Sequence, residues 1–126
     1  MNQNSNAVEK QGLELADLAQ FTGTENYYKY HGGLVLTDGI KYLADQAGAY
    51  WLLDIVASYQ RKLAGVGFQL WRIETCGLGN KSAVVTCRED SDQPDIVKQE
   101  IEYTDFPLDS FEFYVIDNVI LLKSEY

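Results

Sequence analysis

The spacing of apolar positions changes once along the chain, from a helical period to a strand period. In the early part, Leu15, Leu18 and Ala19 fall on one helical face with Leu13 and Ala16 beside it, and Thr22-Gly23-Thr24 breaks the run. This predicts a first helix over about Val8–Phe21, after a polar, Asn-rich tail at Met1–Ala7. Asn26–Leu36 is aromatic but carries Gly32-Gly33, which fits a loop or a short irregular strand pair. Thr37 is a good helix N-cap and Asp38 puts negative charge at the helix start. Ile40, Leu43, Ala44 and Ala47 then form one stripe, Gly48 allows a bend or stop, and Leu52, Ile55, Val56, Tyr59 and Leu63 form a second stripe. Two helices, or one kinked at Ala47–Ala49, satisfy this pattern. The second stripe is expected to end near Ala64-Gly65, with Arg61 and Lys62 in its last turns.

From Phe68 the period is two. Gln69, Trp71, Ile73 and Thr75 share one face of a strand, and Phe68, Leu70, Arg72 and Glu74 share the other. Gly77–Lys81 is a five-residue hairpin turn. Pairing Cys76 with Ser82 sets Trp71 opposite Cys87, Ile73 opposite Val85 and Thr75 opposite Ala83, a mostly apolar face. That register keeps Cys76 and Cys87 about 15–17 Å apart along the strands, beyond the reach of a disulfide, so two core or half-buried free thiols are expected. Glu89–Ile96 reads as a loop, and Lys98–Tyr103 as a third antiparallel strand that ends at Asp105-Phe106-Pro107. Asp109-Ser110-Phe111-Glu112 matches a capping box and predicts a short helix. The alternative there is a hairpin turning at Asp117-Asn118, because FEFYVI has high strand propensity. Val119–Leu122 is a strand in either case. The expected fold is α+β, with N-terminal helices packed on a C-terminal antiparallel sheet meander, as one domain over residues 8–126.

Composition narrows the function. The chain has 126 residues, 46% of them hydrophobic, which suits one domain with a real core. Its formal net charge of −9 disfavours nucleic acid and anionic membrane surfaces and permits a basic protein partner. No apolar run is long enough to span a membrane, and the start lacks a signal-peptide core, so a cytoplasmic protein is expected. The glycines at Gly77 and Gly79 do not make a phosphate loop.

Candidate chemistry is sparse. Asp54 is an acid directly after Trp51-Leu52-Leu53 and before Ile55-Val56, on a narrow polar stripe with Ser58 and Arg61. His31 is the sole histidine, in a loop with Tyr28, Tyr30, Gly32 and Gly33. One imidazole can serve as acid or base but cannot build a multi-histidine metal site, and no metal or cofactor is expected. Asp38 is accounted for by helix-start chemistry. The residues carried forward as ligand- or partner-binding candidates are His31, Asp38, Asp54, Arg61, Tyr28 and Tyr30. With no catalytic constellation, the leading expectation is a small acidic protein-interaction or regulatory module, with homodimerisation through an aromatic face or sheet edge. The alternative is a ligand-binding protein or enzyme using a site near His31 and Asp54.

A resemblance adds to this reading. Phe21-Thr22-Gly23-Thr24-Glu25, Thr37-Asp38-Gly39, Ala49-Tyr50-Trp51-Leu52-Leu53-Asp54, Tyr103-Thr104-Asp105-Phe106-Pro107-Leu108 and Ser124-Glu125-Tyr126 together resemble an uncharacterised bacterial family of small α+β proteins found in genomes and on mobile elements. The likeness runs from Leu13 to Tyr126. Members commonly have Leu-Pro before Ser-Glu-Tyr, where this chain has Leu122-Lys123. The resemblance implies no catalytic set. It implies a host-interaction, regulatory or defence-related role through the mobile-element link alone.

Overall fold

A computed structural model describes residues 15–77 and 81–126. The expected tail at Met1–Ala7, the start of the first helix and the middle of the Gly77–Lys81 turn lie outside the described residues. The elements are α1 (Leu15–Leu18), β1 (Tyr27–Lys29), β2 (Val35–Thr37), α2 (Asp38–Ala47), α3 (Tyr50–Ser58), β3 (Phe68–Cys76), β4 (Lys81–Arg88), β5 (Asp95–Thr104), β6 (Ser110–Ile116) and β7 (Val119–Leu122). One-turn 3-10 segments occupy His31–Gly33 and Lys123–Glu125. Among the described residues the fold is α+β: a seven-stranded, mostly antiparallel sheet with three helices.

The strands lie in the order β1-β2-β7-β6-β3-β4-β5. The β3–β4 register pairs Trp71 with Cys87, Ile73 with Val85 and Cys76 with Ser82, as the alternation requires. β3, β4 and β5 form a meander, but β6 returns to the far side of β3, so these four strands make a Greek key. The expected simple meander is corrected in two further ways. β1 and β2 precede the long helices, and β2 joins β7 in parallel.

Capping chemistry sets the helices. Thr37 Oγ1 accepts from Ile40 N at 3.3 Å, and α2 stops at Gly48, whose left-handed backbone (φ 60°) sends its N–H to Ala44 O. This resolves the segment into two helices. α3 ends at Ser58, six residues before the expected Ala64, because Ser58 Oγ bonds Ile55 O and Gln60 bonds Gln69. Arg61 therefore sits in the turns that follow, not in a helix.

The expected helix at Asp109 is also corrected. Ser110–Ile116 is strand β6, paired with β3 on one side and β7 on the other. The β6–β7 turn places Asp117 and Asn118 at φ 50° and 71°, the signature of a tight hairpin. Two-sided strand pairing outweighs the local capping pattern.

Ile40, Leu43, Leu52, Leu53 and Val56 share one buried cluster with Trp71, Ile73, Val85, Phe113 and Ile120. α2 lies against β1, β2 and β7. Tyr59, just past α3, reaches Gln99 on β5 with a 2.9 Å hydroxyl bond. The β5–β6 connection crosses the end of the sheet and drops Phe106, fully buried, against the Trp51 edge. Both cysteines are free, but Cys76 is exposed rather than half-buried, because it closes β3 at the hairpin end. Cys87 is the core thiol, and burial pushes its pKa up to about 12.

Candidate functional site

The site begins with a sharp reversal between two short strands. Tyr30 N bonds Leu34 O at 2.8 Å, closing a loop that contains Gly32 at φ 76°. A Cβ on Gly32 would be strained and would meet Ala57 Cβ at 3.3 Å, so glycine lets this loop lie against α3. The loop thereby sets Tyr30 and His31 over Asp54, one turn before Ala57 on the same helix.

Asp54 Oδ1 accepts the Tyr30 hydroxyl at 2.5 Å and lies 2.7 Å from His31 Nε2. An ionised carboxylate only accepts, so Nε2 is the proton-bearing nitrogen. The Tyr30 and His31 rings sit 4.5 Å apart, and Tyr30 stacks on Tyr50 at 6.2 Å. The bond from Tyr30, then that from His31, holds the Asp54 carboxyl below its usual range. Burial, then Asp54, pushes the Tyr30 hydroxyl well above its ordinary value.

The network continues along α2. Tyr50 donates to Asp45 Oδ1 at 2.6 Å, and Lys41 Nζ meets Asp45 Oδ2 at 2.9 Å. Lys41 also lies 5.7 Å above the Tyr28 ring, whose hydroxyl donates to Asp38 Oδ1 at 2.9 Å. Asp38 in turn accepts from Glu25 N at 2.9 Å and Asn26 N at 3.2 Å. Those bonds, led by Glu25, lower its pKa. Asp38 therefore staples the Phe21–Glu25 loop as well as starting α2.

Five of the six candidate residues, Tyr28, Tyr30, His31, Asp38 and Asp54, thus lie along one surface. Arg61 is exposed and takes no part in this network. The links outside those six candidates are Lys41, Asp45 and Tyr50. Lys41 and Asp45 carried a signal, their four-residue spacing on a helix. Tyr50 carried one as well, as a tyrosine suited to stacking or an interface within the Ala49-Tyr50-Trp51 run.

This arrangement is open to solvent. The side chains of His31 and Asp54 are 62% and 55% exposed, so water competes for any developing charge. Among the described residues, no group of three His, Cys, Asp or Glu could hold a metal ion. No helix among them is long and apolar enough to cross a membrane.

The other motif residues explain themselves structurally. Glu125 accepts from Thr37 Oγ1 at 2.6 Å, Gly39 N at 3.0 Å and Leu122 N at 2.9 Å, which ties the C-terminal segment to the α2 start. Ser124 Oγ donates to Phe21 O at 2.6 Å. Tyr126 packs edge-on against Phe68 and Tyr114. The three sequence motifs around Phe21–Glu25, Thr37–Gly39 and Ser124–Tyr126 therefore meet at one junction.

No curated protein and no solved structure matches this chain. The model of DUF6876, a family of unknown function, matches residues 13–126, and the chain belongs to that family.

Proposed function

We propose that this chain is a small acidic protein-interaction module, and that the surface around Tyr30, His31, Tyr50 and Asp54 is where it takes its partner. The observation that carries this reading is the convergence of Tyr30 and His31 on one oxygen of an exposed carboxylate. Their mutual bonds hold the rings in place before binding, which reduces the entropy lost on association. Tyrosine is enriched at protein interfaces because it offers broad contact area and a polar tip.

The chemistry favours a basic segment as partner. No bond engages the second oxygen of Asp54 among the described residues, and the Tyr30, His31 and Tyr50 rings cluster beside the first. A guanidinium can pair with a carboxylate oxygen and stack on a tyrosine at the same time. The net charge of −9 would steer such a segment inward. Binding of nucleic acid or membrane is not part of this reading. The alternative, an enzyme working through His31 and Asp54, would need those groups shielded from water, and their exposure argues against it.

Titration of the full chain with a hexa-arginine peptide, a hexalysine peptide and a hexaglutamate peptide tests the reading. The expected result is salt-sensitive binding of hexa-arginine, weaker binding of hexalysine and none of hexaglutamate. Asp54→Asn and Tyr30→Ala should each weaken hexa-arginine binding by about tenfold, in line with loss of a charged hydrogen bond. Equal binding by wild type and both variants would overturn the site.

The finer architecture belongs to the same reading. We infer that α2 and α3 together close one face of the sheet, supported by the shared core of Ile40, Leu52 and Val56 with Trp71 and Ile73. The opposite face, which carries Arg72, is then left to solvent or to a partner.

A further inference from the structure

Cross-strand register sorts the side chains of the sheet onto two faces. Trp71, Ile73, Phe113 and Val85 lie in the core, so Leu70, Arg72, Tyr114 and Thr86 lie on the other side. That outer face has an apolar half. Phe68, Leu70, Tyr114, Ile116, Val119 and Leu121 run across the adjacent strands β3, β6 and β7. All but Leu70 are only partly buried. Phe68 and Tyr114 pack with ring centroids 4.9 Å apart, and Tyr126, 76% exposed, leans on both.

The other half of the face is charged but balanced. Arg72 pairs with Glu74 at 2.6 Å and Glu112 at 3.2 Å, and Lys123 pairs with Glu112 at 2.8 Å. Arg88 pairs with Asp95 at 2.6 Å. Lys29 and Lys98 join this side by register, as does Glu100. With Glu102 following Glu100 on the same side, five of the ten basic residues of a −9 chain stand on this face, against five acidic ones. At its centre, Arg72 Nε is buried with no hydrogen-bond acceptor, the one such side-chain donor found among the described residues.

We propose that this outer face is the interface of a two-fold symmetric homodimer, in which two copies pack sheet to sheet. Self-association of an acidic chain is opposed by like-charge repulsion, and this is the face where the opposing charge is cancelled. A two-fold contact is self-complementary, so each surface must supply both signs as well as apolar area. The alternating Arg72, Glu74, Glu112 and Lys123 row supplies both signs. It can exchange partners across the axis, with Glu74 of one copy offering an acceptor to Arg72 of the other. The apolar half then covers its counterpart, as in the aligned packing of β-sandwiches. This proposal does not depend on the Tyr30 surface, which lies on other elements.

Light scattering on the full chain across a hundredfold concentration range tests it. The expected mass is twice 14.3 kDa, falling toward 14.3 kDa on dilution. Ile116→Lys and Leu121→Lys should each raise the dimer dissociation constant at least about tenfold while circular dichroism stays unchanged. Tyr30→Ala should leave the dimer intact. Because the lysine variants could instead disturb the fold, Glu74→Arg offers a second readout on an exposed side chain. It should weaken the dimer, and Arg72→Glu combined with Glu74→Arg should restore it. A wild-type mass of 14.3 kDa at the highest concentration would overturn the proposal. So would open-ended growth beyond the dimer, or a dimer indifferent to all of these changes.

Discussion

At the scale of single residues, Gly39 leaves no room for a side chain. A Cβ there would fall 2.4 Å from Leu122 Cδ1 and 2.9 Å from the Glu125 carboxylate. Gly39→Ala must therefore displace a buried leucine or break the Glu125 bonds, and is expected to cost about 1–3 kcal/mol by overpacking. A denaturant midpoint equal to wild type would contradict this. Asp38 supplies a pH signature. Its folded pKa is lowered, first by the Glu25 backbone N–H and then by Tyr28. A lowered carboxylate contributes stability above its unfolded pKa, about 3.9 for aspartate, and loses it as pH falls through the lower folded value. Asp38→Asn should thus be less stable than wild type at pH 7, and the gap should close below about pH 4. Thermal melts at both pH values check this. Sequence reading found the helix-start role of Asp38 but not its hold on Glu25 and Asn26, because a contact across a loop of a dozen residues leaves no periodic trace.

Among the elements, those with strict periodicity were readable and those decided by neighbours were not. The β3–β4 register was legible because one slipped residue would have turned Trp71 and Ile73 into water. The Thr37 cap was legible because its chemistry is local. β6 was not. Its sequence carries both a capping pattern and strand propensity, and pairing with β3 and β7 decides between them. The parallel β2–β7 contact was equally hidden, since nothing in Val35-Leu36-Thr37 names a partner more than eighty residues away. Likewise the candidate site was half legible. His31 and Asp54 stood out by composition, but their shared oxygen depends on how a glycine loop meets α3. The β5–β6 crossover offers a test at this scale. Phe106 is fully buried between Trp51 and Phe111, so Phe106→Ala should cost about 3–5 kcal/mol. A loss under about 1 kcal/mol would mean that the crossover does not seal the core.

For the whole molecule, the two surfaces differ in character. The helix side carries Asp38, Asp45 and Asp54 with Lys41 and His31 among tyrosines. The sheet face that bears Arg72 carries matched charges beside aromatic and aliphatic area. If, as proposed, one takes a basic segment and the other a second copy, the two can be occupied together. Raising salt should weaken the first far more than the second, because screening acts on unbalanced charge and leaves apolar burial in place.

The junction of β2, β7 and Glu125 also has a kinetic consequence. Residues that follow one another at the start of α2 are completed by groups about eighty-five positions further on. Such distant closures carry a large entropic barrier and slow the collapse of a chain. The β3–β4 hairpin can zip early from its own turn, whereas the β1–β2 pair must wait for β7 to arrive alongside. The β2 edge is covered only by that distant partner, and a strand edge left uncovered is a template for misassociation.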